Sequence, residues 1–382
     1  MRIALITETF LPNVNGVVTT LCRMLEHLQR QGHEALLFAP EGAPESYAGT
    51  RVIPLNGVPL PMYPELNFTP PQFGITAHLR QFEPDLVHLV APAVLGGIVP
   101  NVTHNLRLPL ISSYHTDLIA YSEHYGLGFL KNVYTSYLRW IHNRSRITLC
   151  PSMTTLNALR SQGFRRLKVW GRGVDTARFH PSNRSLAWRE SIGASPDDTV
   201  LLYVGRLGKE KRLDLLEQAI QGMHEQPVRL VLVGDGPSRV ELQQRTEGLP
   251  VAFTGYLKGQ ELATAYASSD VFVFPSDTET FGQVVQEAMA SGLPIVAARG
   301  GGTIDLVQEG VTGQMFAPGI ASDLRAQLLP LIGNPDTRRA MGVAGRMAAE
   351  RRSWHSVLEE LLHHYRHMLR RTPLTRQLQR AA

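Results

Sequence analysis

The chain has 382 residues, 43% of them hydrophobic and 19% charged, a balance that excludes a disordered chain, and the length fits two domains better than one core. Two cysteines, Cys22 and Cys150, are too few for a disulfide framework and fit reduced thiols packed as small hydrophobes. The net charge of +5 includes no basic run interleaved with aromatics, which argues against nucleic acid as a partner.

From the amino end, Met1-Arg2-Ile3-Ala4-Leu5-Ile6-Thr7 reads as a strand entering a domain, without the apolar core and cleavage site of a signal peptide. Short apolar runs at 3–6, 35–38, 86–90, 110–113 and 147–149, then 200–204, 230–233, 251–253, 271–274 and 295–297, alternate with helical patterns. Such alternation predicts parallel sheets covered by helices, one sheet in each half of an α/β chain. Glycine, proline and polar residues interrupt the pattern over 173–181, and the spacing predicts domains at 1–180 and 181–352. Residues 353–370 form a helix with Trp354, Val357, Leu358, Leu361, Leu362 and Tyr365 as its apolar stripe, followed by a basic tail. His363 and His367 are an i, i+4 pair on this helix, read as part of a basic solvated face because no Glu or Cys completes a ligand set nearby.

Charge divides along the chain. Residues 1–180 hold 16 basic against 11 acidic side chains, 181–350 hold 15 against 20, and 351–382 hold 7 against 2. The first half can therefore face an anionic surface. The longest apolar stretch, 86–100, is too short and too interrupted by Pro92, Gly96, Gly97 and Pro100 to span a bilayer. A proline-rich loop at 55–66 and the aromatic, basic segment 121–140 are expected to form an acceptor mouth resting on a membrane.

The stretch richest in chemistry is Ser276-Asp277-Thr278-Glu279-Thr280-Phe281-Gly282-Gln283-Val284-Val285-Gln286-Glu287. It joins a buried strand to a helix and sets two glutamates eight positions apart. The first N–H groups of a helix lack internal partners and carry partial positive charge, so a phosphate can dock there, and Gly282 permits close approach. Arg206 and Lys211 follow the run 200–204, at the carboxyl end of a strand where open α/β sheets bind ligands. Tyr203 stands where a Walker A loop needs its first glycine, and neither Gly171-Arg172-Gly173 nor Gly234-Asp235-Gly236 continues into a dinucleotide fingerprint.

This constellation resembles the E-x7-E signature of retaining glycosyltransferases of the two-Rossmann-domain type, glycosyltransferase family 4. The likeness extends through Glu8-Thr9-Phe10-Leu11-Pro12 with Asn15-Gly16-Val17, Ser113-Tyr114-His115-Thr116, Gly171-Arg172-Gly173-Val174-Asp175, Val204-Gly205-Arg206-Leu207, Gly234-Asp235-Gly236-Pro237 and Gly300-Gly301-Gly302. It implies a GT-B architecture: two Rossmann-like domains with an interdomain cleft and a last helix crossing back to the first domain. It also implies a metal-independent retaining hexosyltransferase that needs no cofactor. By the resemblance, Arg206 and Lys211 bind the diphosphate, Glu279 lies close to the donor sugar, Glu287 accepts from the ribose hydroxyls, and His115 contacts the sugar from the first domain. Gly16, Gly234, Phe281, Gly282 and Gln283 belong to the donor site, and Tyr256 and Leu257 reach the base. Asp117 is an acceptor-side candidate. No D-x-D triplet, the metal-bridging signal of the other glycosyltransferase fold, occurs in the chain.

Two branches of the family divide the donor. The segments 170–176 and 279–287 are similar to GDP-mannose-dependent α-mannosyltransferases, whereas 59–66 and 123–128 are similar to sulfoquinovosyl-diacylglycerol synthases, which use a UDP-sugar. Both imply a glycerolipid or glycolipid acceptor and a cytoplasmic enzyme peripheral to the inner membrane face. A nucleotide-sugar epimerase, a phosphorylase and a non-catalytic sensor are the competing classes.

Overall fold

The computed structural model describes residues 1–13, 15–60, 63–68, 74–90, 92, 95–115, 131–223 and 226–370, with the backbone alone at 58–60, 63–68, 95 and 131. Two compact units emerge, one of Met1–Gly171 with His355–Ala382 and the other Arg172–Trp354. The change of unit falls before the 173–181 segment, which lies wholly in the second. There Val174 N–H donates to Arg352 O at 3.0 Å, so the two chain segments that enter and leave this unit run side by side. A Cβ on Gly173 would sit 2.5 Å from the Trp354 backbone, which is why glycine stands at that pairing.

In the first unit the strands are β1 (Arg2–Thr7), β2 (Glu34–Pro40), β3 (Ser46–Tyr47), β4 (Thr50–Leu55), β5 (Val58–Leu60), β6 (Tyr63–Phe68), β7 (Leu86–Val90), β8 (Leu110–Ser113), β9 (Ile147–Cys150) and β10 (Leu167–Val169). Eight of them form one sheet in the order β10-β9-β8-β7-β1-β2-β4-β3, parallel except where β3 runs antiparallel to β4. β7 and β8 are buried along their whole length, as a strand covered by helices on both faces must be. The expected loop at 55–66 is instead largely ribbon: β5 and β6 pair antiparallel. Proline tolerates this because each strand of a two-stranded ribbon keeps one edge that needs no N–H. The rest of the proposed acceptor mouth at 121–130, the connection 61–62 and Asp117 lie outside the described residues.

The helix Trp354–Arg370 closes this unit, burying Val357, Leu358, Leu361, Leu362, Tyr365 and Met368 along the stripe read from the sequence. Trp170 Nε1 donates to Val357 O at 2.9 Å, and His27 Nε2 donates to Glu359 Oε1 at 2.9 Å, fixing the helix against the segment before the change of unit and against the helix Gly16–Arg30. His363 and His367 stack 6.3 Å apart and remain exposed. Cys150 is buried, which pushes its thiol up to about 12, and Cys22 is half-buried; both are free.

The second unit holds β11 (Thr199–Val204), β12 (Val228–Val233), β13 (Val251–Gly255), β14 (Val271–Phe274), β15 (Ile295–Ala298) and β16 (Gly313–Phe316). They form a wholly parallel sheet in the order β13-β12-β11-β14-β15-β16. β11, β14 and β15 are buried throughout, and Tyr203, Phe272 and Phe274 stack inside the core.

Burial sets a pH signature in the first unit. His88 and His142 are enclosed, and desolvation drives both imidazoles down to about 3. The unfolded chain gains protons on these residues below about pH 6.5 while the folded chain does not, so their stabilising neutral state is lost progressively as pH falls from about 6.5 towards 3. Urea unfolding at pH 7.5 and 5 should show a loss of about 1.4 kcal/mol per pH unit for each residue below pH 6.5, and equal stability at the two pH values would contradict the neutral buried assignment.

Candidate active site

In the second unit, strand order reverses between β11 and β14: successive strands from β11 run outward one way, and those from β14 the other. Loops leaving such a pair diverge and open a crevice at the carboxyl ends of the strands. Lys211 comes from the loop after β11 and Glu279 from the loop after β14, and here Lys211 Nζ donates to Glu279 Oε1. Lys211 is 9% exposed, so this is a largely desolvated pair. Burial alone would raise the Glu279 carboxyl, but Lys211 and then Arg172 outweigh it and hold the group below its ordinary value. Arg172 is itself buried, which lowers its guanidinium to about 10 against the pull of Glu279, and its Cζ lies 5.9 Å from the Phe281 ring centre.

Both loops are braced by close backbone packing. Gly302 N–H donates to Glu279 O at 2.6 Å, and a Cβ on Gly300 or Gly302 would collide with 277–281. On the other side, Leu207 N–H donates to Asp235 O at 2.9 Å and Ser238 N–H to Leu207 O at 2.9 Å, binding the Arg206 loop to the loop after β12. Gly234 and Gly236 sit where side chains would strike the Gly205 and Leu207 carbonyls. The Arg206 guanidinium is 4.0 Å from Glu210 Oε1.

The helix Gln283–Ala290 starts at Gly282, whose φ of +91° is left-handed, and no side chain caps it. Its first N–H groups are therefore directed out at the same edge as Lys211 and Glu279. Gln283 Nε2 donates to Gly173 O at 3.1 Å, tying the helix start to the entering segment. One turn on, Glu287 receives a hydrogen bond of 3.1 Å from the buried Tyr266 hydroxyl. Burial dominates this carboxyl and pushes it up to about 7, with Tyr266 and Gln283 opposing.

At the carboxyl edge of the first unit's sheet, Gly16 begins its helix, where Asn15 Oδ1 accepts from Val17 N–H and Val18 N–H at 3.0 Å each. His115 follows β8 and is 6% exposed. A chain of contacts runs inward from it: His115 Nε2 to Ser113 Oγ at 2.8 Å, Ser113 Oγ to His88 Nε2 at 3.0 Å, and His88 Nδ1 to the Tyr365 hydroxyl at 2.6 Å. Trp170 stands edge-on to both imidazoles. The last helix thus fixes the orientation of His115 through two buried side chains.

Of the residues singled out in the sequence, the structure joins Lys211 to Glu279, sets Phe281, Gly282 and Gln283 beside them, and places Arg206 and Gly234 in adjoining loops. Tyr256 is exposed, with its hydroxyl donating to Asp235 O at 3.3 Å, whereas Leu257 packs on the core and lines a groove of about 810 Å³ at the β13 edge. His115 and Gly16 belong to the other unit. Arg172 is the residue that sequence reasoning passed over; its only signal was its place between the glycines at 171 and 173.

Comparison with known proteins identifies the family. Residues 14–178 match the model described as Glycosyltransferase Family 4, and residues 185–347 that of Glycosyl transferases group 1. A Corynebacterium glutamicum protein named GDP-mannose-dependent alpha-mannosyltransferase is 38% identical over 98% of this chain and 92% of its own length. The chain belongs to glycosyltransferase family 4. The Arabidopsis thaliana sulfoquinovosyl transferase SQD2 is also similar to this glycosyltransferase, at 35% identity over 94% of the chain and 72% of its own length. Anabaena HepE, solved with UDP and glucose, shares the GT-B fold, with a TM-score of 0.79 at 21% identity over 96% of this chain and 99% of its own.

The ion pair of this glycosyltransferase can be measured. In a double-mutant cycle of Lys211→Met and Glu279→Gln, urea unfolding at pH 7 should give a coupling of about 1–3 kcal/mol; additive effects would show that the two side chains do not meet in solution.

Proposed function

We propose that the enzyme transfers a hexose, with retention and formation of an α-linkage, from a nucleoside diphosphate sugar to a glycerolipid or glycolipid. The observation that carries this reading is a carboxylate held ionised by Lys211 and Arg172 at the switch point, beside an uncapped helix start. Breaking the anomeric C–O bond leaves negative charge on the β-phosphate, so fixed positive groups at that oxygen lower the barrier. Arg206, Lys211 and the N–H groups at Gln283 supply them, and Gly282 and Gly234 keep the approach open. When the diphosphate arrives, Lys211 exchanges part of its bond to Glu279 for phosphate oxygen. Glu279 then holds a sugar hydroxyl and faces the oxocarbenium-like centre. Glu287 takes the ribose hydroxyls, Tyr256 and Leu257 flank the base, and His115 and Gly16 act on the sugar and diphosphate from the first unit.

In the step itself the acceptor hydroxyl oxygen bonds to the anomeric carbon on the face the diphosphate leaves. The bond to the β-phosphate oxygen breaks, and that oxygen takes the acceptor's proton. No enzyme nucleophile is required. We also propose that no metal takes part, since two cationic side chains replace it and the chain has no D-x-D triplet.

GDP-mannose is the donor we favour, supported by the relatives named for it at 38–40% identity. The second reading, a UDP-sugar, is favoured by the likeness of 59–66 and 123–128 to the sulfoquinovosyl branch. No helix of the described residues is long and apolar enough to cross a membrane, and the basic excess of the first half supports peripheral attachment at the cytoplasmic face.

Thermal shift with GDP, UDP, GDP-mannose and UDP-glucose should separate the donors by mass action, followed by transfer to a diacylglycerol-based acceptor and assignment of the product anomer by proton NMR. We expect a shift with GDP and GDP-mannose and an α-product. Turnover should be unchanged in EDTA, and Arg206→Ala or Lys211→Ala should lower kcat about 100- to 1000-fold. A β-product, or full activity in both variants, would refute the mechanism.

Donor affinity should depend on Glu287. Because its folded pKa of about 7 lies above the ordinary value, the protonated form favours the fold at low pH, and that contribution is lost as pH rises through 7. Donor binding needs the ionised form, so donor Kd should rise about tenfold for each pH unit below 7. Glu287→Gln should bind weakly with no such slope, and a wild-type Kd constant from pH 5.5 to 8 would remove Glu287 from the donor site.

A further inference from the structure

Among the described residues, His27, His355 and Glu359 bring three metal-ligating side chains together. Each offers one ligand atom, and the three atoms lie within 4.8 Å of one another. His27 stands in the last turn of the helix Gly16–Arg30, while His355 and Glu359 are four positions apart in the first two turns of the helix Trp354–Arg370. Residues at i and i+4 share one face of a helix, so His355 and Glu359 can turn to the same point. All three belong to the first unit. Apolar burial, not the cluster, holds the two helices: Leu25 and Leu28 of one and Leu358 and Leu361 of the other are buried, and the Tyr365 hydroxyl lies 3.7 Å from Met24 Sδ. The ligand positions are therefore set before any ion arrives.

His27 is buried, and its Nε2 lies 2.9 Å from Glu359 Oε1. Two ligands of a tetrahedral ion with bonds of about 2.0 Å lie about 3.3 Å apart, so this hydrogen-bonded pair needs to open by only about 0.4 Å to admit one. Arg366 stands 3.9 Å from the other carboxylate oxygen, Oε2, which leaves Oε1 on the His27 side. The His355 ring centre is 5.6 Å from that of His27. His355 is exposed and Glu359 partly so, which opens the cluster to water on one side.

We propose that His27, His355 and Glu359 bind a divalent ion of the zinc type, which ties the last helix to the helix Gly16–Arg30. Two imidazoles and one carboxylate are the donor set of a borderline cation, with water in the fourth position, whereas calcium and magnesium take about six or more oxygens. On entry of the ion the proton that His27 Nε2 donates to Glu359 moves to Nδ1, and the freed lone pair goes to the metal. The ion takes no part in sugar transfer, since none of its ligands is a residue assigned to the donor. The apolar stripe keeps the helix in place without it, so removing the ion lowers stability and leaves turnover intact.

The test uses the untagged full-length protein, stripped with EDTA and exchanged into chelator-free buffer. Zinc is titrated in competition with a chromophoric chelator into the wild type, His355→Ala, Glu359→Gln and, as a control, His363→Ala/His367→Ala, which removes the exposed i, i+4 pair further along the same helix. His355 is exposed, so its variant should fold, and a thermal melt checks it. The wild type should bind one equivalent of zinc. Loss of a ligand should weaken binding by at least the roughly 10- to 100-fold that loss of an outer-shell partner costs, in His355→Ala and Glu359→Gln alike, and the control should stay within about twofold of the wild type. Zinc should raise the Tm of the wild type and the control but not that of His355→Ala, because only a bound ion shifts the melt by mass action. Magnesium at the same concentration should raise none of them. No uptake by the wild type, equal zinc affinity in His355→Ala, binding lost in the control instead, or an equal shift with magnesium would each overturn the proposal.

Discussion

A carboxylate withdrawn from water stays charged only where cations are built around it, and the second unit is organised to meet that constraint at Glu279. Lys211 reaches it across 68 positions of sequence, and Arg172, further towards the amino end, across 107. The approach of Lys211 depends on the reversal of strand order between β11 and β14, which delivers two loops to one crevice, whereas Arg172 comes from the segment that enters the unit. The cluster is a poor way to stabilise a fold, because desolvating three charges costs free energy that apolar packing would not. Its worth lies in holding donors and an acceptor in fixed positions before any substrate arrives.

Rigidity around that cluster comes from main chain packed on main chain. Gly300 and Gly302 lie against the Glu279 loop, and Gly234 and Gly236 lie against the Arg206 loop, at distances where any side chain would intrude. The two glycine-bearing loops flank the crevice and leave little room for the charged residues to drift. In the first unit the corresponding device is made of side chains: Ser113, His88 and Tyr365 form a continuous hydrogen-bonded series behind His115.

Much of this architecture was legible because buried parallel strands are short, continuous apolar runs; all ten segments read as strands are strands. Those passed over had physical reasons to be silent. β4 carries Arg51 and Pro54 in a six-residue strand, β10 has only three residues, and β16 begins with a glycine that packs against the Ile295 carbonyl. At the site, the spacing of Glu279 and Glu287 marked the strand-to-helix junction, and Arg206 and Lys211 marked a loop. The partnership of Lys211 with Glu279 could not be read, since contact between distant loops is set by strand order. Arg172 was hidden for the same reason, and the raised carboxyl of Glu287 follows from enclosure beside Tyr266, which no linear pattern records.

Chain order gives the last helix a role in timing. During synthesis the second unit is complete once Trp354 has been made, whereas the first still lacks its closing helix although its sheet was made long before. Until Tyr365 leaves the ribosome, His88 has no hydroxyl at Nδ1 and the apolar groove that receives Leu358 and Leu361 stays open to water. A nascent chain therefore carries a finished half before the other is closed, and His115 acquires its fixed orientation only once Tyr365 has been made.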